Sequence, residues 1–332
     1  MTNLLVIKEQ LVGFFSRFET YIVAVLKFIL AMIALLLINA DLGFMQKIDN
    51  GAIVLIVSLI CSFLPMNLIV IIMAAFILLH VYSLSLECAV IVAIIFVMMF
   101  VLYFRFSPRD ACAVIFTPIC YMLKIPYVVP LTLGFVGTPM SCVSVGCGTV
   151  VYFMLGYIKA NADRLAKSKS MSDPEAALGS FKYIIDGLLG SDKMLLLVIA
   201  FAVVVVTVYM IKSLPVDHSW KIALGLGVVV NILVLLIGCS ALEVELSVGG
   251  VIFGTLVSAL IVFIIQFFIF NVDYSRTENV QFEDDEYFYY VKAIPKMSVE
   301  AKDVSVKRMR YRDDYYDDDE DEDEDDGLDY IE

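Results

Sequence analysis

Apolar residues run along this chain in long blocks of one kind, separated by short polar connections, rather than alternating with polar ones every two or every three to four residues. A bilayer core about 30 Å thick needs about 20 apolar residues in a spanning helix. Tyr21–Ala40 is such a run, with Lys27 inside it placed to snorkel or to face other helices. Ala52–Ser83 is apolar throughout and is broken only at Pro65 and Asn67, in SFLPMNL. That pattern predicts a tight helical hairpin or a re-entrant pair, and either returns the chain to the side it left. Ala89–Phe104 predicts the next span and ends in the basic loop RFSPRD. Ala111–Leu123 is apolar but short, and it stops at Lys124; Val150–Ile158 is a second short run. Leu195–Ile211, Ile222–Gly238 and Val251–Phe270 predict three further spans. The expected fold class is an all-α integral membrane protein of about eight to nine crossings, with interrupted or re-entrant segments. The parity turns on the number of crossings between residues 111 and 158.

Between the two short runs lies PYVVPLTLGFVGTPMSCVSVGCGT, residues 126–149, uncharged yet holding three prolines and four glycines. Non-helical backbone at membrane depth leaves N–H and C=O groups without partners, each costing several kcal/mol in hydrocarbon. Such a segment persists only inside protein or along a watery cavity. Pro130 and Pro139 lack an amide donor, Gly134 and Gly137 permit close approach, and Thr132, Thr138, Ser141 and Ser144 bring hydroxyls. These eight residues form a candidate ligand pathway of the kind that transporters build from interrupted helices. The competing reading is a kinked, Gly-rich helix used for tight packing. Glu243 and Glu245, at the edge of an apolar run, are candidates for an ion or proton route.

Residues 159–193 form the longest polar connection of the membrane region. Within it, Asp173 is placed to cap a helix opened by Pro174, and Ala177, Leu178, Phe181, Ile184, Ile185, Leu188 and Leu189 recur on one face before Gly190. An amphipathic surface helix is expected there, packed on the membrane or docking a partner. Lys and Arg occur in the N-terminal segment, in 105–109 and in 159–193, so the positive-inside rule alone leaves the orientation open. A cytoplasmic C-terminus requires an odd number of crossings within 111–158.

Charge divides the chain in two. Residues 1–270 carry 15 Lys/Arg against 14 Asp/Glu, whereas residues 271–332 carry 8 against 22. The formal net charge of −13 therefore belongs to the C-terminal part, and 61% hydrophobic residues belong to the rest. Residues 271–312 are expected to form a small soluble segment with strand-like YFYYVKAI, and 313–332 a disordered acidic tail. The opening MTNLLVIKEQLVGFFSRFET lacks the pattern of a cleaved signal peptide. The seven cysteines lie in or beside apolar runs without a CxxC pair, which points to packing. With two histidines far apart in sequence, no metal or cofactor is expected. No G-x-x-x-x-G-K-[ST], G-x-S-x-G or H-E-x-x-H is present, so no recognisable ATP site or hydrolase motif competes.

The stretches PYVVPLTLGFVGTP and VDYSRTENVQFEDDEYFYYVKAIPK resemble a family of bacterial polytopic membrane proteins, some of them described as permeases of ABC transporters. The resemblance implies a dimer working with a separate ATPase through a cytoplasmic EAA loop; here Glu175, Ala176 and Ala177 match, and the glycine is Gly179. The expected function is a membrane permease, or the membrane subunit of a transport system. The alternative is a non-transporting scaffold whose acidic tail recruits a cytoplasmic partner. Expected partners are the lipid bilayer, an ATPase or a basic cytoplasmic protein, and a second copy of the chain, with no nucleic acid because the tail has the wrong sign. The expected location is the bacterial cell membrane, with the C-terminus in the cytoplasm.

Overall fold

Where the chain meets Pro65, Leu64 is extended (φ −84°, ψ 155°), as a residue before proline prefers, and one helix ends as the next begins. Breaks of this kind set the architecture. The computed structural model describes residues 2–168, 182–188, 190–269, 278–284 and 286–293. Seven helices there are long and apolar enough to cross a bilayer. They are α1 (Thr2–Asp41, apolar from Gly13), α3 (Met66–Leu84), α4 (Leu86–Phe106), α7 (Ser141–Ala160), α10 (Asp192–Lys212), α11 (Ser219–Ala241) and α12 (Val248–Ile269). Shorter helices are α2 (Gly51–Phe63), α5 (Ala111–Met122), α6 (Val128–Val136), α8 (Ala162–Ser168) and α9 (182–188). This is an all-α integral membrane protein with one small β-hairpin. Side-chain caps mark three starts: Asn50 accepts from Ala52 N–H, Ser85 from Cys88 N–H and Ser191 from Met194 N–H.

Named contacts give the direction of each helix. Ser62 Oγ donates to the Ala24 carbonyl at 2.9 Å, so the end of α2 lies beside the first half of α1. His80 Nε2 lies 3.0 Å from Asn39 Oδ1, so the end of α3 lies beside the end of α1. Thus α2 and α3 run antiparallel, each packed on α1, and the chain returns to the end of the bundle it left. Lys159 pairs with Asp41 at 2.7 Å, which makes α7 parallel to α1. The Gly148 backbone lies against Val114 and Thr117, and Tyr152 stacks on Tyr121 with centroids 4.4 Å apart, so α5 is parallel to α7. Tyr127 meets Phe201, and Gly134 meets Val208 seven residues further along each chain, so α6 is parallel to α10. Gly146 faces Val198 while Phe153 and Ser191 line one cleft, so α10 is antiparallel to α7.

It follows that α5 and α6 are antiparallel. Their 12 and 9 residues reach only about 18 and 14 Å at 1.5 Å per residue, short of a 30 Å core. Together they form a hairpin that enters the bundle and returns to the end it came from. Lys8 Nζ donates to the Phe267 carbonyl at 2.6 Å, so the start of α1 and the end of α12 share that same end of the bundle as the closes of α6 and α10. One apolar core fills the space among α1–α5 and α7, and two more join α5–α7 and α10–α12.

The segment 126–149 is interrupted less than its composition suggests. α7 runs unbroken through SCVSVGCGT, and the break is confined to 137–140. Pro130 is the third residue of α6, where an amide has no intrahelical partner to lose. Gly43 is the one glycine of positive φ among the described residues; Gly146 and Gly148 serve helix packing instead.

In the connection 159–193, residues 173–181 lie outside the described residues, as does the proposed cap at Asp173. Helix α9 buries Ile184 and Leu188 and leaves Ile185 exposed, and Gly190 closes it through an N–H bond to the Asp186 carbonyl at 2.8 Å. The acidic run 313–332 also lies outside. The YFYYVKAI stretch supplies β2 (Phe288–Ala293), antiparallel to β1 (Glu278–Glu283), with Val280 opposite Val291 and Phe282 opposite Tyr289. In its turn the Asp284 carboxylate accepts from the Glu286 and Tyr287 N–H groups and from the Tyr289 hydroxyl.

Two outcomes are expected. A Cβ on Gly148 would fall 2.6 Å from Thr117 Cβ and 2.9 Å from the Val114 carbonyl, whereas one on Gly225 meets nothing within 4 Å. Gly148→Ala should therefore cost about 1–3 kcal/mol by overpacking, and Gly225→Ala should be neutral or stabilising, read as thermal unfolding in detergent. Those three hydrogen bonds, the two backbone ones first, hold the Asp284 carboxyl below its usual pKa. Because the folded pKa is the lower one, the stabilisation is complete above the unfolded value and is lost as pH falls through the folded value. The protection factors of the β2 amides, taken relative to the intrinsic exchange rate, should therefore hold at neutral pH and fall in acid, and Asp284→Asn should abolish that fall.

Candidate functional site

The tip of the α5–α6 hairpin is held by backbone bonds. Ile125 N–H reaches the Cys120 carbonyl at 2.9 Å and Lys124 N–H reaches the Tyr121 carbonyl at 3.0 Å, the double bond pattern that closes a helix through one left-handed residue. Lys124, at φ 60°, occupies the place where glycine is usual. Glu243 (φ 51°) has the same place after α11, where Val244 N–H reaches the Cys239 carbonyl at 3.1 Å. Glu243 thus has a backbone role. It and Glu245 are exposed on the connection to α12.

At the other end of the hairpin, Gly137 N–H closes α6 on the Leu133 carbonyl at 2.8 Å. A Cβ there would collide with Ser141 Oγ and come within 2.9 Å of the Leu133 carbonyl, so the turn requires glycine. Ser141 Oγ accepts from Thr138 N–H at 2.9 Å, which satisfies an amide of the turn before α7. Thr138 is exposed, and Pro139 half-buried, between the two helices. Ser144, one turn into α7, is fully buried and bonds Ser107 Oγ at 2.7 Å. Four residues before Ser107, the buried Tyr103 hydroxyl donates to Asn67 Oδ1 at 2.5 Å, with the Pro108 carbonyl at 3.2 Å. The end of α4 therefore ties together both breaks that the sequence marks, 64–67 and 137–140. Lysines close the remaining helix ends here: Lys27 Nζ donates to the Leu64 carbonyl at 3.1 Å, and Lys212 bonds the Phe135 carbonyl.

Of the eight pathway candidates, Pro130, Gly134, Ser141 and Ser144 are buried in protein contacts. Thr132 differs: its Oγ1 is buried and has no hydrogen-bond partner. It faces α12 together with Gln266, whose Oε1 is also buried and unpartnered. Further along α12, Ser258 Oγ is in the same condition. Asn231, in α11, donates from Nδ2 to Thr255 Oγ1 at 2.9 Å and leaves Oδ1 without a partner. Thr255, Ser258, Val262 and Gln266 recur every three or four residues and so share one face of α12, over about 16 Å. Four buried, unsatisfied polar atoms thus line a seam where α6, α11 and α12 meet. Sequence reasoning singled out Thr132 alone. The spacing of Thr255, Ser258 and Gln266 within an apolar run, with Asn231 inside GVVVNILVLL, was the signal for the rest.

Among the described residues no three His, Cys, Asp or Glu side chains converge as metal ligands. No protein-family model, curated protein or solved structure matches this chain.

Tyr103→Phe removes the hydroxyl that joins Asn67 to the Pro108 carbonyl and leaves Asn67 Oδ1 without its donor. A loss of about 1–3 kcal/mol is expected, against under 0.5 kcal/mol for the exposed Tyr82→Phe, both measured as thermal unfolding in the same detergent.

Proposed function

We propose that the protein is a membrane permease, or the membrane subunit of a transport system, and that its solute path follows the seam between α6, α11 and α12. The observation that carries this reading is the set of unpartnered buried atoms Thr132 Oγ1, Asn231 Oδ1, Ser258 Oγ and Gln266 Oε1. Buried polar groups are nearly always satisfied, so several left open along one face support a polar ligand that enters when the helices part, since the cleft between Thr132 and Gln266 has no room for a water as it stands. The short α5–α6 hairpin beside the seam supports the same reading, because interrupted helices in membranes survive where they line a cavity or lie buried in protein. Polar residues that served only to bind helix to helix would bond one another, as Asn231 Nδ2 and Thr255 do and the four open atoms do not.

In this reading α1–α4, α7 and α10–α12 make eight crossings, with α2 the short one, and α5–α6 is re-entrant. An even number puts both chain ends on one side. The short segments of that side carry Lys8, Arg17, Arg105, Arg109, Lys212 and Lys221, whereas the connection 159–193 on the other side carries six Lys/Arg nearly balanced by five Asp/Glu; we take the side of the short basic segments as the cytoplasm of a bacterial cell. The opposite short connections carry Lys47 among Asp41, Asp49, Glu87, Glu243 and Glu245. A separate ATPase, or another basic partner drawn by the acidic C-terminal part, would engage the cytoplasmic side, and a second copy of the chain would complete the assembly.

The test is water access. In a background with the native cysteines replaced, Ser258→Cys and Thr132→Cys should react with a small, charged methanethiosulfonate in intact membranes, and Ala200→Cys, fully buried in an apolar core, should not. Inert thiols at both seam positions in folded protein would remove the path and leave the seam a packing interface.

A further inference from the structure

A second, chemically different cavity lies in the other half of the bundle, among α1, α3, α4, α5 and α7. It encloses about 80 Å³. Of the residues that line it, Asp41 and Tyr152 alone carry a polar side-chain atom. The cavity is a slot parallel to the helices. Its wall on α1 runs from Ala34 to Asp41 and its wall on α3 from Val70 to Ile77, seven helical steps each, or about 10 Å. Leu37, Met99, Phe100 and Pro118 on its rim are half-buried and Met122 is 40% exposed, so the slot communicates with the outer surface of the bundle. At one end stands the Asp41–Lys159 ion pair, at 2.7 Å, with the carboxylate mostly covered and the ammonium half exposed. Asp41 and Lys159 are at the closing turns of α1 and α7, the level at which these helices leave the apolar zone.

We propose that this slot seats a few methylenes of one acyl chain of a membrane phospholipid, the rest of the chain lying on the outer surface of the bundle, and that the lipid's zwitterionic headgroup bears a primary ammonium and straddles the Asp41–Lys159 pair. An apolar void stays dry, so water does not compete for it. A hydrocarbon chain gains little by leaving one apolar surrounding for another. It does gain the dispersion contacts that the walls of a void forfeit. Selectivity then rests on the rim. A headgroup ammonium meets the Asp41 carboxylate and a headgroup phosphate meets the Lys159 ammonium, so the lipid exchanges one ion pair for two charge-assisted ones. A quaternary ammonium has no N–H to donate to Asp41, and a purely anionic headgroup places no positive charge there. The slot runs in the direction of the lipid chains and opens at the level of the headgroups, which fits a lipid of the leaflet opposite the chain ends.

The full chain, purified in mild detergent, is incubated with equal amounts of phosphatidylethanolamine, phosphatidylcholine and phosphatidylglycerol in mixed micelles, and retained lipids are counted by native mass spectrometry. One phosphatidylethanolamine per chain is expected, at about tenfold preference over either competitor, equivalent to about 1.4 kcal/mol. Ala74→Leu, which fills the slot from α3, should abolish retention. Asp41→Asn should leave a chain bound and erase the headgroup preference; this second variant carries the test if the first does not fold. No retained lipid, equal retention of all three, or an unchanged preference in Asp41→Asn would overturn the proposal. The seam between α6, α11 and α12 is untouched by either substitution, so failure here and failure of the transport reading are separate outcomes.

Discussion

A backbone carbonyl or amide released by a helix break inside an apolar bundle must find a partner in the protein, because the surroundings offer none. Each interruption in this chain shows how that demand is met. At 64–67 the donors are Lys27 for the Leu64 carbonyl and Tyr103 for Asn67. At 137–140 the Gly137 amide goes to Leu133, the Thr138 amide to Ser141 Oγ, and Lys212 to the Phe135 carbonyl. At the hairpin tip the amides of Lys124 and Ile125 return to α5, at the expense of a left-handed lysine. Three lysines, Lys8, Lys27 and Lys212, sit on helix carbonyl ends, where the helix dipole favours a positive charge.

These closures determine where everything else can stand. With both breaks tied to the end of α4, α6 is held against α10 by the close fit of Gly134 on Val208, and its other side is left to α12. That position brings Thr132 to Gln266, and α11 brings Asn231 to Thr255. The unsatisfied seam is therefore a consequence of a hairpin too short to cross. On the far side of α5, the same hairpin walls the apolar slot with Pro118 and Ile119. One short helix pair thus separates a polar line from an apolar one.

Much of this was legible in the sequence, for identifiable reasons. Five of the apolar runs, those that became α1, α4, α10, α11 and α12, carry enough length to be spans whatever their neighbours do. Pro65 marks a break because the residue before a proline is biased away from the helical region, and Leu64 is extended. The run Ala111–Leu123 is visibly too short to cross, but nothing local says that the chain turns back, since the turn at Lys124 lacks the glycine that usually announces it. The glycines of SCVSVGCGT misled in the opposite sense. They suggest a broken chain, and their purpose emerges only with the partners Val198, Thr117 and Val114, which are remote in sequence. Pro130 likewise looks disruptive and is harmless at the third position of a helix. The polar seam was half visible: Thr132 lies in a segment already marked by its prolines and glycines, whereas Asn231, Ser258 and Gln266 are single polar residues in otherwise ordinary spans. Their significance depends on which helices meet.

The central claim is that residues 111–136 enter the bundle and return to the same side. Sidedness of labelling tests it most directly. Single cysteines at Arg109, before the hairpin, and at Met140, after it, are exposed to an impermeant maleimide in right-side-out and in inside-out vesicles, with a cysteine at Lys47 as the reference for the opposite side. The account requires the positions 109 and 140 to react in the same vesicles and position 47 in the other set. Reaction of 109 and 140 from opposite sides would make the segment a crossing and contradict it.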